Sequence, residues 1–289
     1  MSTIAVTGAA GHLGRRVAEL LLDQGHQPVL LTRNPAALDS LAARAAEVRR
    51  GDFADPAGLE AALAGVERLL LISIDVTGPQ RIALHTQAIE AARAAGVKHV
   101  IYTSLPRPEA ANPAGVAPDH RATEAALQGS GLTWTFLRNN LYAEYQVPTL
   151  AQAVAGGQYV TNSGGGATAY VSREDCAAVA AAVLTSDGHE NVAYDITGPE
   201  AIDAEGFAAL ATELGDRTVS VVALDDDAYA QGLTAAGLPA PVAALLTSFG
   251  ASAREGWAEH VSTAVLDLTG REPTRLRDVL VASQAAATA

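Results

Sequence analysis

The sequence contains a single lysine, and this scarcity excludes a common arrangement of proton-donating side chains. Lys98 is the only lysine among the 289 residues, and the residue four positions before it is Ala94. A Tyr-x-x-x-Lys pair, in which lysine assists a tyrosine that protonates a carbonyl oxygen, therefore cannot occur. Any reduction that requires a strongly activated tyrosine acid is disfavoured.

Cysteine, basic residues and long apolar runs are also scarce. Cys176 is the only cysteine, so no internal disulfide can form and a thiolate metal site is excluded; its neighbours indicate a buried helix face. The 19 basic residues are outnumbered by 32 acidic residues, and the net charge of −13 argues against nucleic acid as a partner. The chain has no signal-type start and no apolar run long enough to span a bilayer, so we expect a cytoplasmic protein without membrane contact.

A glycine-rich motif near the N-terminus predicts a dinucleotide-binding turn. A short apolar strand precedes Gly8, Gly11 and Gly14, which follow G-x-x-G-x-x-G spacing, and a helical pattern follows them. His12 and Leu13 lie between the last two glycines. Such a motif lets the backbone turn sharply and approach a pyrophosphate, whose charge is stabilised by the amides at the helix N-terminus. A glycine-rich turn without a ligand is the alternative.

The residue at the end of the second strand bears on the choice between NAD and NADP. The strand over residues 28–32 is followed by Arg33, at a position where NAD-binding proteins commonly have a carboxylate for the ribose 2′-OH. A guanidinium can instead hold a 2′-phosphate through paired charge-assisted hydrogen bonds. The sequence therefore favours NADP(H), with NAD(H) as the alternative cofactor and a solvated surface position as the alternative for Arg33.

The order of apolar runs and helical patterns predicts the fold class. Strand-like runs alternate with helices, which is typical of βαβ units and a parallel sheet. Six strands are expected, near residues 4–6, 28–32, 48–50, 68–73, 97–103 and 132–137. We therefore predict an α/β fold: a Rossmann-type doubly wound parallel sheet with a smaller, mostly helical C-terminal lobe.

Two domains are expected, and the substrate should lie between them. Residues 1–140 are predicted to bind NAD(P), and residues 141–289 to form a substrate-capping lobe that is partly interleaved with the first domain. Short strands at 158–161 and 193–197, and a helical pattern beyond residue 203, are assigned to this lobe. In open α/β sheets ligands bind beyond the carboxyl ends of the strands, so the lobe should cap the pocket there.

Polar residues at the predicted strand ends are candidates for the site. Asp52 follows the third strand and could contact the adenine, and Ser73 ends the fourth strand near the expected nicotinamide. Thr103 and Ser104 end the fifth strand, and Ser104 is expected to line the substrate pocket. An ordinary turn or helix-capping role is the alternative at each position, because serine, threonine and aspartate favour such positions.

Several short motifs, taken together, resemble one known family. They are Gly8 to Gly14, Thr32-Arg33-Asn34-Pro35, Gly51-Asp52-Phe53, Leu69-Leu70-Leu71-Ile72-Ser73, Ala94-Ala95-Gly96-Val97-Lys98, Tyr102-Thr103-Ser104 and Leu137-Arg138-Asn139. On these motifs the chain resembles the NmrA-like atypical short-chain dehydrogenases/reductases, and among them the bacterial NAD(P)H:quinone oxidoreductases that use a nicotinamide and no flavin. The resemblance implies that the glycine motif and Arg33 bind the cofactor. It also implies that five residues border the nicotinamide and the quinone: Ser73, Thr103, His120, Asn139 and Tyr142.

Three further features bear on the substrate side. His120 opens a helix after a proline-rich loop and, with an ordinary pKa of about 6.5, could donate a proton at neutral pH; an exposed histidine is the alternative. Tyr145 and Tyr170 are expected to line the substrate pocket, with a surface position and an aromatic core position as their respective alternatives. The proline-rich residues 106–113 could form a rigid lid.

The absent lysine pair fits a quinone acceptor, because hydride addition leaves a delocalised anion that needs only hydrogen bonds or a weak acid. The leading hypothesis is NADPH-dependent reduction of a quinone or polycyclic aromatic substrate by direct hydride transfer, without flavin or metal. Its catalytic residues would be His120, Thr103, Asn139 and Tyr142. Two alternatives stay open: a monooxygenase that hydroxylates an aromatic polyketide through a hydroquinone and dioxygen, and an NADP-binding redox sensor without turnover. A homodimer is a further expectation.

Overall fold

The computed structural model describes residues 2–44 and 46–288. Its strands are β1 (Ile4–Val6), β2 (Val29–Thr32), β3 (Glu47–Arg50), β4 (Arg68–Leu71), β5 (His99–Ser104), β6 (Thr133–Asn139), β7 (Gln158–Thr161), β8 (Val192–Ile196) and β9 (Ser220–Ala223). Its helices are α1 (His12–Asp23), α2 (Asp39–Ala42), α3 (Pro56–Ala62), α4 (Pro79–Ala94), α5 (Ala117–Gly129), α6 (Gln146–Gly156), α7 (Arg173–Thr185), α8 (Ala204–Leu214), α9 (Asp226–Ala235), α10 (Ala240–Arg254), α11 (Ala264–Thr269) and α12 (Leu276–Thr288).

Seven strands form one sheet in the order β3-β2-β1-β4-β5-β6-β8, and every neighbouring pair is parallel. The predicted Rossmann-type doubly wound sheet is therefore confirmed, including its first six strands. The chain order reverses between β1 and β4, where the connections leave in opposite directions. A reversal of this kind opens a crevice at the carboxyl ends of the two strands, which is the usual ligand position in such sheets.

Two apolar cores cover the two faces of the sheet. Successive side chains of a strand point to opposite faces, and β5 shows this alternation clearly. Ile101 packs into the core that contains Val17 of α1 and Cys176 of α7. Its neighbours Val100 and Tyr102 pack into the other core, beneath α3, α4 and α5. The predicted burial of Cys176 is confirmed.

One strand differs from the prediction. The segment expected at 193–197 was assigned to the smaller lobe, but β8 pairs with β6 over Thr135 to Asn139 and extends the central sheet. The smaller lobe is built around a third core, in which Leu150, Phe207 and Leu280 are buried, and it includes the two-stranded parallel sheet of β7 and β9. The division of the chain at residue 140 stays a prediction, with the interleaving carried by α7 and β8.

No helix among residues 2–44 and 46–288 combines the length and the apolar character that a membrane crossing requires.

Candidate active site

The glycine motif forms a tight turn between β1 and α1. Gly8 adopts a φ of +60°, which glycine tolerates best, and the Gly11 amide donates to the Gly8 carbonyl over 2.9 Å. A Cβ atom at Gly14 would lie 2.4 Å from the Gly8 carbonyl oxygen, so only glycine lets α1 pack this closely on the turn. Leu13 is buried in the core, whereas His12 is exposed at the first position of α1.

The N-terminus of α1 is suited to an anionic group. Its capping residue, Gly11, has no side chain that could bond the first helical amides. These amides and the positive end of the helix dipole favour a phosphate beside the turn. The turn therefore fits the diphosphate of a nicotinamide dinucleotide.

Arg33 is exposed directly after β2. Among the described residues no carboxylate pairs with its guanidinium within 4.0 Å. A second arginine, Arg15, lies on the first turn of α1 and donates to the Ala37 carbonyl in the short helical turn after Arg33. Sequence reasoning did not single out Arg15, although its position next to Gly14 was a signal. Both cations are available near the place where a ribose 2′-phosphate would be bound, so the NADP preference stays a prediction with geometric support.

The carboxyl ends of β4, β5 and β6 bring polar groups together. The Ser73 amide donates to Thr103 Oγ1 over 2.9 Å, and Thr103 Oγ1 lies 3.4 Å from Ser73 Oγ. On the next strand, Asn139 Nδ2 donates to Tyr142 Oη over 3.3 Å. Because β4, β5 and β6 are neighbours, the two pairs lie at the same carboxyl edge of the sheet, and these four residues are referred to as the polar row.

Asn139 holds a buried acceptor that a ligand could use. The residue is buried, and its Oδ1 atom has no partner among the described residues. A buried amide oxygen without a donor is costly. An amide N–H of a bound ligand, such as a nicotinamide carboxamide, would satisfy it.

Tyr142 and Tyr145 form an aromatic pair at the end of this row. Their ring centres are 5.9 Å apart, and Tyr145 is 58% exposed. Burial raises the pKa of the Tyr142 hydroxyl above its ordinary value, so the group stays protonated at neutral pH. It accepts a bond from Asn139 and, within the described part of the chain, no acceptor faces its hydrogen. That hydrogen is available to a ligand oxygen.

His120 is buried in a hydrogen-bonded network. It is 6% exposed, its Nδ1 lies 2.9 Å from Tyr102 Oη, and Arg81 Nη1 lies 3.4 Å from its Nε2. Arginine can only donate, so Nε2 is the acceptor and Nδ1 carries the single hydrogen. Burial, with the nearby positive charge of Arg81, holds the pKa of His120 well below its ordinary value. The imidazole is therefore neutral, and both of its nitrogens are occupied by Tyr102 and Arg81. Its burial argues against the alternative of an exposed histidine, and the proton-donating role of His120 stays a prediction.

The same buried network fixes the segment of residues 74–78, between β4 and α4. His85 Nε2 accepts the first amide of this segment over 3.3 Å, and Asp119 Oδ2 accepts the last over 2.7 Å. The Arg81 guanidinium donates to the carbonyl in the middle. Burial lowers the pKa of His85 to about 3. Arg81 and His85 are four residues apart, so they share a helix face. That spacing was the one signal of this buried network in the sequence.

Three other candidates have structural partners of their own. Ser104 lies on the face opposite Thr103, where its Oγ donates to Glu124 Oε1 over 2.7 Å. Its hydroxyl is therefore engaged away from the Thr103 side, and its place in the substrate pocket stays a prediction. Asp52 Oδ1 accepts the amide two residues ahead over 3.0 Å, the turn role given as its alternative. Tyr170 packs against the core of the smaller lobe, as its alternative states. The contact of Asp52 with adenine stays a prediction.

The proline-rich segment 106–113 is tied to the smaller lobe. Ser252 Oγ of α10 donates to Asn112 Oδ1 over 2.9 Å, and Arg107 Nη1 donates to the Gly256 carbonyl over 3.0 Å. The Arg107 guanidinium also lies 4.3 Å from the ring centre of Trp257. The segment therefore bridges β5 and the smaller lobe, as a rigid lid would.

A glycine turn at the start of α1 and a polar row at the ends of β4, β5 and β6 define an oxidoreductase that binds a nicotinamide dinucleotide. The chain belongs to the NAD(P)H-binding family, whose model matches residues 8–187, and within it to the NmrA-like atypical short-chain dehydrogenases/reductases, as the resemblance predicts.

Three characterised relatives span almost the whole chain. Quinone oxidoreductase 2 of Escherichia coli is 38% identical over 277 residues, which is 95% of this chain and 96% of the relative. Its crystal structure with NADPH superposes with a TM-score of 0.94, at 37% identity, and covers 98% of this chain and all of that one. The (4-alkanoyl-5-oxo-2,5-dihydrofuran-3-yl)methyl phosphate reductase of Streptomyces griseus is 35% identical over 279 residues, 95% of either chain. Triphenylmethane reductase of a Citrobacter species has a TM-score of 0.91 at 33% identity, covering 98% of this chain and 99% of that one.

Proposed function

We propose that this protein reduces a quinone by direct transfer of hydride from NADPH, without a flavin or a metal. The observation that carries the proposal is the row of Thr103, Asn139 and Tyr142 beyond the glycine turn, which offers hydrogen bonds to an acceptor and no strong acid. Such a row suits an acceptor whose reduced form is a delocalised, weakly basic anion. The related E. coli protein is named a quinone oxidoreductase, which supports the same acceptor class here.

Asn139 and Tyr142 of the row have distinct parts in this proposal, beside the residues that would hold the cofactor. The glycine turn and the N-terminus of α1 would hold the diphosphate, and Arg33 the 2′-phosphate. Asn139 Oδ1 would accept from the carboxamide of the nicotinamide and so orient the ring, which supplies a hydride when bound. The Tyr142 hydroxyl would donate a hydrogen bond to a carbonyl oxygen of the acceptor. Solvent would deliver the last proton, because the pKa of Tyr142 is too high for efficient proton transfer at neutral pH.

His120 has a supporting part in this proposal. Through Arg81 it stabilises the segment 74–78, which begins next to Ser73 of the polar row. The two alternatives from the sequence gain no support from the relatives, which are named as reductases and oxidoreductases. A homodimer stays a prediction.

The test is the loss of nicotinamide absorbance when purified protein is mixed with NADPH and menadione, a simple naphthoquinone. We expect oxidation of NADPH with and without dioxygen, and an equal amount of hydroquinone when dioxygen is absent. NADPH oxidation that requires dioxygen, with labelled oxygen in the product, would favour the monooxygenase. Tight NADPH binding without turnover of any quinone would favour the redox sensor and contradict the proposal.

A further inference from the structure

Arg173, the first residue of α7, lies against the aromatic pair of the polar row. The Cζ of its guanidinium is 5.2 Å from the ring centre of Tyr142 and 4.8 Å from that of Tyr145. Glu144 accepts the main-chain amide of Arg173 over 2.9 Å, but in the described ranges no carboxylate comes within 4.0 Å of the guanidinium itself. The cation is therefore held by two rings and has no ion-pair partner among those residues.

The position of α7 places this cation at the same edge of the sheet as the glycine turn. Helix α1 begins there because it directly follows β1. Helix α7 leads into β8, which is parallel to β1, so α7 also begins at the carboxyl edge. Arg16 of α1 joins the two helices through a bidentate ion pair with Glu174, with contacts of 2.6 and 2.9 Å. Arg173 thus lies at the same edge of the sheet as the turn that would hold the cofactor, in contact with Tyr142 of the Asn139–Tyr142 pair.

The proposed reaction creates a negative charge that a cation should stabilise. When a neutral quinone receives a hydride, the C4–H bond of the dihydronicotinamide breaks and its electron pair forms an O–H bond at a quinone oxygen, or a C–H bond that tautomerises to it. The product is a hydroquinone monoanion. NADPH is oxidised to NADP⁺, and one proton from solvent completes the hydroquinone. The lysine that often provides positive charge near such a site is absent: Lys98 is exposed at the opposite, amino end of β5 and pairs with Glu67.

We propose that Arg173 forms a cationic subsite for the oxyanion that hydride transfer generates on a neutral, planar acceptor. This inference rests on the proposed function and names the charged group of that same site. The two rings hold the guanidinium by cation–π contacts and leave its N–H groups at the edge for an oxyanion. Tyr142 donates to an acceptor oxygen beside it, and Tyr145 provides a flat surface for the acceptor ring.

An exchange of acceptors tests this subsite, because the sign of the charge change can be reversed. Menadione is neutral and becomes an anion on hydride transfer, whereas the triarylmethane dye crystal violet is a cation and becomes neutral. For Arg173→Gln we expect kcat/KM with menadione to fall by about tenfold or more, and kcat/KM with crystal violet to stay the same or rise. Arg173→Lys should recover part of the menadione rate. Arg93→Gln removes the same charge from the exposed end of α4, at the far edge of the sheet, and should change neither rate.

A binding measurement gives a readout that does not depend on turnover. Lawsone is a hydroxynaphthoquinone that is ionised at neutral pH, so it resembles the product anion. The affinity for each quinone can be measured by calorimetric titration in the presence of NADP⁺. Arg173→Gln should weaken the binding of lawsone about tenfold, whereas neutral menadione should bind as before. Equal losses for lawsone and menadione, or equal losses of rate for both acceptors, would overturn the inference and leave Arg173 a structural residue.

Two more outcomes distinguish an acceptor subsite from a cofactor contact and from a failure of the proposed function. If Arg173→Gln loses affinity chiefly for NADPH, the guanidinium binds the cofactor's phosphates, and the acceptor subsite is refuted. If the wild-type protein reduces no quinone, the proposed function fails, and the inference then depends on lawsone binding alone. If lawsone binding still depends on Arg173, the result supports an anion subsite. If lawsone binds equally well to Arg173→Gln, the subsite is refuted.

Discussion

Replacing Gly14 with alanine should damage cofactor binding far more than its single methyl group suggests. The added Cβ would lie 2.4 Å from the Gly8 carbonyl oxygen, 2.8 Å from its carbon and 2.9 Å from Ala9 Cα. All three atoms belong to the backbone, so no side-chain rotation can relieve the contact. An ordinary contact begins at 3.4 Å, which requires α1 and the turn to separate by about 1 Å.

This displacement can be converted into an expected loss of affinity. Overpacking of a rigid site costs about 1–3 kcal/mol, and the shift moves the α1 amides away from the diphosphate position. If the bound state carries this cost, the Kd for NADPH rises roughly 5- to 150-fold. Tryptophan or nicotinamide fluorescence titration measures the Kd, and thermal unfolding of the free protein measures the part of the cost that appears as lost stability.

A matched substitution controls for the change from glycine to alanine. Gly129 ends α5, and a Cβ there would have no neighbour within 4 Å. Gly129→Ala should leave the Kd unchanged and should not lower the melting temperature, since alanine reduces the freedom of the unfolded chain. A folded Gly14→Ala protein that binds NADPH within about twofold of the wild type would refute the close-packing argument and, with it, the assignment of this turn to the diphosphate.

Three other outcomes can be measured. Arg33→Ala should raise KM for NADPH about tenfold or more and leave NADH nearly unchanged, because only NADPH has a 2′-phosphate; equal effects would remove that role. Asn139→Leu should lower kcat by a larger factor than it lowers the affinity for NADP⁺, because it removes the group that orients the nicotinamide ring and little binding area. An unchanged kcat would show that Asn139 does not orient the nicotinamide. The folded state lowers the pKa of His85 to about 3 and that of His120 well below 6.5, so the unfolded chain binds more protons in acid. The free energy of unfolding should therefore fall as the pH drops below about 6.5, by up to about 1.4 kcal/mol per pH unit for each histidine. In acid denaturation, His85→Gln should reduce this dependence on pH. An unaltered dependence would show that His85 is not the titrating group.

The parts of the molecule that follow contiguous patterns could be predicted from the sequence. The glycine turn is a single run of residues, and the first six strands alternate with helices. Residue spacing and hydrophobic periodicity were therefore sufficient to predict the turn and these strands. β8 was assigned to the wrong part because it returns to the sheet more than fifty residues after β6, and nothing in its short sequence specifies its neighbour. Strand partners are long-range information, which a local pattern does not contain.

The candidate site shows the same division. The position of His120 at the start of a helix was readable, but its burial depends on Tyr102 and Arg81, which lie 18 and 39 residues away in the chain. The bond from Ser104 to Glu124 could not be predicted, because successive residues of a strand face opposite sides of the sheet and a local pattern does not show which side of β5 faces the site. Arg173 was not singled out, since its significance comes only from the two rings it meets in the folded chain.

The route of the chain between the two parts has a consequence for how this fold can be recombined. After β6 the chain leaves the central sheet and forms α6 and β7 of the smaller lobe. It returns through α7 to β8, which pairs with β6, and then enters the smaller lobe again. A chimaera with a single junction at residue 140 would combine β6 with a β8 from the other protein. It would likewise combine α1 with a foreign α7, whose Glu174 pairs with Arg16 in this chain. Exchanging the substrate-facing lobe between relatives therefore requires two inserted segments, with α7 and β8 kept from the recipient.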